Sequence, residues 1–329
     1  MKHTAYAATM QGLWLSHDDG ESWARLLTPT GGFYNEARCW CVEAHPMCPG
    51  EVLVGTDQGL YRMNPAEGRF DYIPSPMDSL HILQVARDPN DPDFIVCGTR
   101  PAELFISENN GESWVRAPLD AATECWFINT TRVTSIQFDP RDTDVIWATV
   151  EIDGVFKSED RGKSWTLMIH GLADNDAHDL VFYDGELGRD ILASTEDSMH
   201  RSMDNAVSWL QEPTDVAPFV YYRSLVQVGA NSGIVLASVG DKPSGETGMV
   251  LRSTDVGKTW QTIALPHPPN STIWGFGTHQ ADPDLIYFCT IFGQIFQSKD
   301  GGITWAKKRR ELGEIRMITW EPQDMDTKQ

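Results

Sequence analysis

Positive charge is what this chain has least of. Lysine and arginine number 26 against 47 aspartates and glutamates, a formal net charge of −21. A surface of that sign repels polyanions, which excludes nucleic acid and anionic membranes as natural partners. Long apolar runs are missing too, and none approaches the roughly 20 residues of a membrane-spanning helix. The opening residues Met1 to Tyr6 lack the apolar stretch of a signal peptide and read as the start of a strand, so a cytoplasmic location is expected. The six cysteines (Cys39, Cys41, Cys48, Cys97, Cys125 and Cys289) contain no C-x-x-C pair. They are read as buried thiols of a reducing compartment rather than as three disulfides, and zinc is not expected. Cys39 and Cys41, two apart, are expected on one face of a strand. No composition break marks a linker, so the 329 residues are read as one domain.

What is present is a phrase that returns six times. It begins at Ser16, Ser107, Ser158, Ser202, Ser253 and Ser298 and follows S-x-D-x-G-x-[ST]-W, ending at Trp23, Trp114, Trp165, Trp209, Trp260 and Trp305. Two copies deviate: Asn109 replaces the acid and Ala206 replaces the glycine. The chemistry is that of a tight hairpin turn. The Asp accepts hydrogen bonds from turn amides, Gly takes a positive φ, and the hydroxyls tie down the backbone. The Trp opens the next strand with a large apolar face. A repeated unit is first a building unit, so these acids are read as structural rather than catalytic.

The phrase resembles the Asp-box, or bacterial neuraminidase repeat, of sialidases, sortilin-type receptors, xyloglucan-degrading enzymes and photosystem II assembly factors. The resemblance implies a β-propeller, with the box at the turn between the third and fourth strands of each blade, on the face away from the ligand site. Four strands, A to D, can be read around each box. In one blade they are Val133–Phe138, Val145–Val150, Gly154–Lys157 and Trp165–Met168. The turn between A and B also recurs, as Asp88-Pro to Asp93, Asp139-Pro to Asp144 and His279 to Asp284. The interval from 16 to 107 is about twice the others, so a unit without a box is placed there, with strands Glu51–Thr56, Gly59–Arg62 and Arg69–Ile73. The chain opens on a strand B (Thr4–Thr9) and ends on a strand A (Ile315–Pro322), which are expected to share one blade and close the ring. The expected fold is all-β, a single seven-bladed propeller of four-stranded antiparallel blades over residues 1–322, with 323–329 a flexible tail.

If the boxes face one way, the D–A and B–C connections surround the other mouth of the channel. Aligning the A strands puts Arg38, His81, Arg132 and Glu314 in one column, with Tyr222 and Ala177 in roughly that register. Trp40, His178, Asp179, Arg223, Trp274 and Arg316 are neighbours. Guanidinium groups suit carboxylate, sulfate or phosphate. Arg38, Trp40, Arg132, Tyr222, Arg223, Trp274 and Arg316 are therefore taken as binding residues for a small anionic or carbohydrate-like ligand. His81, His178 and Asp179 are taken as proton carriers of a hydrolase or lyase acting on a sugar or small organic acid, without cofactor. Two other readings stay open: a non-catalytic scaffold whose rim takes a protein partner, and a metal-dependent enzyme using His81, His178 and nearby acids. In sialidases the resemblance implies an arginine triad, a Tyr nucleophile with a supporting Glu, and a Phe/Tyr-Arg-Ile-Pro motif. Ala37-Arg38-Cys39-Trp40 stands near that motif without its aromatic or its Pro, and Tyr221-Tyr222-Arg223 offers a Tyr and an Arg.

Overall fold

Strand B of each blade is a nearly continuous apolar run, such as Ala5-Tyr6-Ala7-Ala8, Val52-Leu53-Val54 or Leu285-Ile286-Tyr287-Phe288, and it is buried on both faces. Such strands need cover on each side, which only neighbouring sheets stacked like spokes provide. The computed structural model describes residues 2–26, 37–64, 69–125, 129–185, 188–213, 218–230 and 232–323. In it, seven four-stranded antiparallel sheets each run A-B-C-D. The A strands of blades one to seven are Ile315–Pro322, Cys39–Ala44, His81–Asp88, Val133–Asp139, Ala177–Gly185, Tyr221–Gln227 and Ile273–Gly277. Each contacts the A strands of both neighbours, so the seven enclose one channel. Apolar clusters fill the spaces between blades. A short extra hairpin, Glu124–Cys125 with Asn129–Thr130, sits in the connection from blade three to blade four.

Ring closure is as the two ends of the sequence suggest. His3–Thr9 pairs antiparallel with Ile315–Pro322, Tyr6 opposite Thr319. Tyr6 Oη donates to Glu321 Oε1 at 2.5 Å, and Glu321 Oε2 accepts the Gly50 N–H at 3.0 Å, which ties blade one to blade two. Gln323 still bonds the opening strand, its N–H to Lys2 O. The remainder of the expected tail, 324–329, lies outside the described residues.

Each box forms the turn its residues suggest. In the first, Gly20 N–H donates to Ser16 Oγ (2.9 Å), Ser22 N–H to Asp18 Oδ1 (2.9 Å), and Trp23 Nε1 to Gly20 O (3.0 Å). Two features favour glycine in the box. At Gly162, φ is +82° and an added Cβ would stand 2.2 Å from Ile106 Cδ1 of the preceding blade. Ala206 keeps the same turn at φ +67°, while its Trp209 indole turns to Met168 O instead. Neighbouring blades are latched at the same turn. Arg62, Arg201 and Arg252, each the last residue before the box position on strand C, donate to the carbonyls of Asn110, Val256 and Gly301, the fourth box residue of the next blade (2.9, 2.9 and 3.1 Å).

No cysteine is in a disulfide. Cys39 and Cys41 do not share a face: Cys39 packs with Tyr6 and Val42 between blades one and two, Cys41 with Ile82 and Cys97 between blades two and three. The pairing shifts register between them, and one extra residue there inverts the alternation.

Candidate functional site

That extra residue recurs in every blade. The A–B pairing slips by one between Cys39 and Cys41, Ile82 and Gln84, Val133 and Ser135, Ala177 and Asp179, Tyr222 and Leu225, Ile273 and Gly275, and opposite Ala8 and Thr9 in blade one. Bulges re-aim side chains, and seven at one level make a ring of re-aimed residues. In chain order these are Trp40, Leu83, Thr134, His178, Arg223, Trp274 and Arg316. All but His178 line one cavity of about 30 Å³ in the channel mouth, together with Gln84, Arg132 and Val133.

Five of the seven binding residues expected from sequence therefore meet. Arg223 lies over the Trp274 ring with its Cζ 4.3 Å from the centroid, and Arg316 sits between Trp40 (5.1 Å) and Trp274 (5.2 Å). Such contacts hold a cation against an aromatic face. Arg132 pairs with Glu151 (2.6 Å), and Arg316 with Glu314. Arg223 has no ion pair among the described residues, and its Nε and Nη1 are buried without hydrogen-bond partners. Arg316's guanidinium is pushed below its ordinary pKa, by burial first, with Glu314 opposing and the charges of Arg132 and Arg223 adding. Glu151 is held on a strained turn. The next residue, Ile152, has φ +65°, rare for a β-branched side chain, and its N–H reaches Asp176 Oδ1 at 3.3 Å.

The other two expected binding residues lie elsewhere. Arg38 is on the rim, its side chain 58% exposed and 4.0 Å from Asp57. Tyr222 is buried among Leu225, Val239 and Leu251. The residue before each bulge (Cys39, Ile82, Val133, Ala177, Tyr222, Ile273, Ile315) points into the blades and is buried without exception. Tyr221 and Asp176, not Tyr222 and Ala177, thus share the column of Arg38, His81, Arg132 and Glu314. Burial pushes the Tyr221 hydroxyl up to about 12.

Among the expected proton carriers, His81 stacks on Trp40 (5.3 Å between centroids) with Nδ1 buried and unpartnered. Burial pulls its pKa down, and the charges of Arg100 and Arg38 add to this against the pull of Asp57. His178 Nδ1 lies 2.6 Å from Tyr222 O, a carbonyl that can only accept, so this nitrogen carries the proton; Nε2 faces Asp176 Oδ1 at 3.5 Å. Burial works to raise the Asp176 carboxyl, but His178, the Ile152 N–H and the charge of Arg223 bring it below the usual range. The Asp179 carboxylate is saturated: it accepts from Ser135, Gln137 and Ser224 side chains and from the N–H groups of Leu180 and Leu225. It joins the A strands of blades four, five and six. Toward the box-side end of the same three strands lies a second cavity of about 190 Å³, lined by Phe138, Leu180 and Leu225 among others. Among the described residues no three His, Cys, Asp or Glu side chains gather as a metal site, and His81 and His178 stand on different blades.

Residues 155–167 match the model of the BNR-Asp box repeat. The fold is a seven-bladed β-propeller that carries the Asp-box repeat. A xyloglucanase of Paenibacillus sp is 20% identical over 338 residues, covering 87% of this chain and 32% of that protein. The propeller thus spans about a third of the length of that curated relative. Of the solved structures, an ancestral GH74 enzyme superposes with a TM-score of 0.64 at 15% identity, covering 86% of this chain and 38% of that one. YCF48 from Cyanidioschyzon merolae superposes at 0.60 with 10% identity and 88% coverage of both, and YCF48 bound to D1 peptide at 0.55 with 13% identity, covering 82% of this chain and 83% of that one. Likeness at these identities is likeness of fold.

Proposed function

We propose that this propeller binds a small anionic or carbohydrate-like ligand at the channel mouth. Arg132, Arg223 and Arg316 meet its anionic group, and Trp40 and Trp274 form its apolar walls. Arg223 carries the reading. Several arginines that serve the fold are answered by acids: Arg87 by Glu43 and Glu51, Arg189 by Asp139 and Asp184, Arg161 by Asp88, Asp91 and Asp144. Arg223 is partly buried beside the channel with no acid in ion-pairing range among the described residues, and a guanidinium so placed is suited to an incoming carboxylate, sulfate or phosphate. The likeness to a xyloglucanase supports a sugar-bearing ligand. The reaction class that fits such a ligand is hydrolysis or elimination, with His81 as the proton carrier beside Trp40, since Asp179 is committed to the framework.

The test is calorimetric titration with uronic acids, small carboxylates and matched neutral sugars. The acids should bind, and Arg223→Gln should weaken them by about tenfold or more, the loss of one charge-assisted contact. Failure of every acid to bind the unaltered protein, or equal binding by the variant, would refute the reading.

A second reading has its own observation. Val220, just before the A strand of blade six, and Phe292, in the B–C turn of blade seven, are exposed on the mouth face (59% and 49%). Apolar side chains beside an arginine-lined opening suit a polypeptide with an acidic or carboxylate end, and the fold is that of YCF48, solved with a bound D1 peptide. Peptide binding abolished by Phe292→Ser, with sugar acids inert, would favour it.

A further inference from the structure

The cavity toward the box-side end of blades four, five and six holds about 190 Å³, and the ligand proposed for the mouth makes no use of it. Phe138, Leu180, Leu225 and Val226 give it apolar walls, Gln137 and Gln227 give it two amides, and no residue that lines it carries a charge. This character is confined to three blades. Three and four residues past the bulge these blades have Gln137-Phe138, Val181-Phe182 and Val226-Gln227. At the same steps blades two and three place Glu43 and Arg87, an ion pair at 2.7 Å. Arg189, whose Cζ stands 6.0 Å from the Phe182 ring centroid, is answered by Asp139 and Asp184.

One polar group on the wall has a fixed direction. Gln137 Nε2 donates to Asp179 Oδ1 (2.9 Å) and to Leu180 O (2.6 Å), which engages both of its hydrogens. A carboxylate and a carbonyl only accept, so the amide cannot turn over, and Oε1 is the end that takes no part in the wall. The charge of Asp179 behind the amide polarises it and strengthens Oε1 as an acceptor. We infer that this cavity binds a neutral, ring-sized alcohol or phenol, with its hydroxyl donating to Gln137 Oε1 and its ring against Phe138, Leu225 and Val226. The size agrees, since an apolar cavity of about 150 Å³ accommodates benzene. An anion would meet Asp179 through the amide with no cation on the lining to offset it. A cation would leave water for walls that offer no counter-charge, because both Asp179 oxygens are already taken by hydrogen bonds of the framework. Water filling the same space would find two amides and otherwise apolar walls, so its displacement by a ring is favourable.

Phenol and cyclohexanol are the probes, with toluene as the ring that lacks a donor and benzylammonium and benzoate as the charged ones. At ten times its Kd, phenol should raise the melting temperature by about 2 °C, and toluene should bind about tenfold more weakly for want of one hydrogen bond. Val226→Trp, which fills the cavity with an indole, should abolish phenol binding. Crystals soaked in 4-bromophenol should show an anomalous peak inside the cavity, with the hydroxyl in hydrogen-bonding reach of Gln137 Oε1. The inference is overturned if neither alcohol binds, if toluene or benzylammonium binds as well as phenol, or if phenol is indifferent to Val226→Trp. Should that variant fail to fold, the bromine position and the phenol-to-toluene ratio still decide, and a peak only at the mouth counts against the site. The two sites part cleanly, because Asp179 stands between them along the strands: benzoate or a sugar acid held at the mouth should ignore Val226→Trp, and phenol should ignore Arg223→Gln.

Discussion

Asp179→Asn separates a framework role from a catalytic one. The carboxylate receives five hydrogen bonds from three blades: Oδ1 from Ser135 (3.0 Å), Gln137 (2.9 Å) and Leu180 N–H (3.0 Å), Oδ2 from Ser224 and Leu225 N–H (3.1 Å each). An asparagine of the same shape exchanges one acceptor for a donor. Its better orientation puts the NH2 toward Ser224, whose hydroxyl can turn to accept, but then Leu225 N–H faces another donor. A buried backbone N–H so deprived costs about 1–3 kcal/mol, and the remaining bonds lose their charge assistance. Against this stands relief from burying a charge, the burial that raises the Asp179 pKa in spite of its hydrogen bonds. The net expectation is a loss of about 2–3 kcal/mol, or about 4–8 °C in melting temperature, with ligand affinity at the mouth little changed. The pH dependence has a definite sign. With the folded-state pKa above the unfolded one, this group's contribution to stability falls as pH rises from the ordinary aspartate range through the raised value, and the variant should flatten that part of the curve. Thermal melts from pH 3 to 8 beside ligand titrations make the test. A variant melting within about 1 °C of the parent but unable to bind or turn over ligand would refute the framework role.

The box turns carry further expectations. Gly162→Ala forces a side chain into φ +82° and against Ile106 Cδ1. The left-handed conformation costs about 1–2 kcal/mol and a displaced Ile rotamer about 0.5–1.5, partly offset by about 0.4–1 from a stiffer unfolded chain. Chemical denaturation should show a net loss, and unchanged stability would refute the steric account. Hydrogen bonds from the hydroxyl and N–H of Ser22, Ser164 and Ser208 lower the Asp18, Asp160 and Asp204 carboxyls. Depressed folded-state pKa values give stability that is present above the ordinary aspartate range and lost as pH falls below about 4. A triple Ser→Ala variant at those serines should therefore have a shallower acid limb in melting curves, and an unchanged limb would remove the box from the account of acid sensitivity.

The ring of seven blades was legible because each device that builds it has a local signature. The box fixes a turn through a hydroxyl, an acid and a residue able to take positive φ, and Ser16, Asp18 and Gly20 announce that chemistry within a few positions. Even Ala206 could be placed, since its neighbours Ser202, Asp204 and Ser208 hold the turn without the glycine. The mouth was half legible for an equally physical reason. Alternation along a strand assigns faces only while the pairing is unbroken, and one inserted residue exchanges inside for outside. Nothing in Cys39-Trp40-Cys41 or Tyr221-Tyr222-Arg223 marks the bulge, so the cysteine pair was joined and the wrong tyrosine brought to the channel. Arg223, Trp274, Trp40 and Arg316 were still found because each is itself the bulged residue, which in six blades, all but that of His178, lines the mouth whatever the parity before it. Arg38, two residues before the bulge of its blade, had no such protection: Asp57 takes both its N–H (2.9 Å) and its guanidinium, and it stays on the rim. The bulge is thus the element on which the site depends. It is repeated in all seven blades although their side chains there differ from Leu83 to Arg316, so the backbone sets where the mouth residues point and the sequence at that one position sets what they bind.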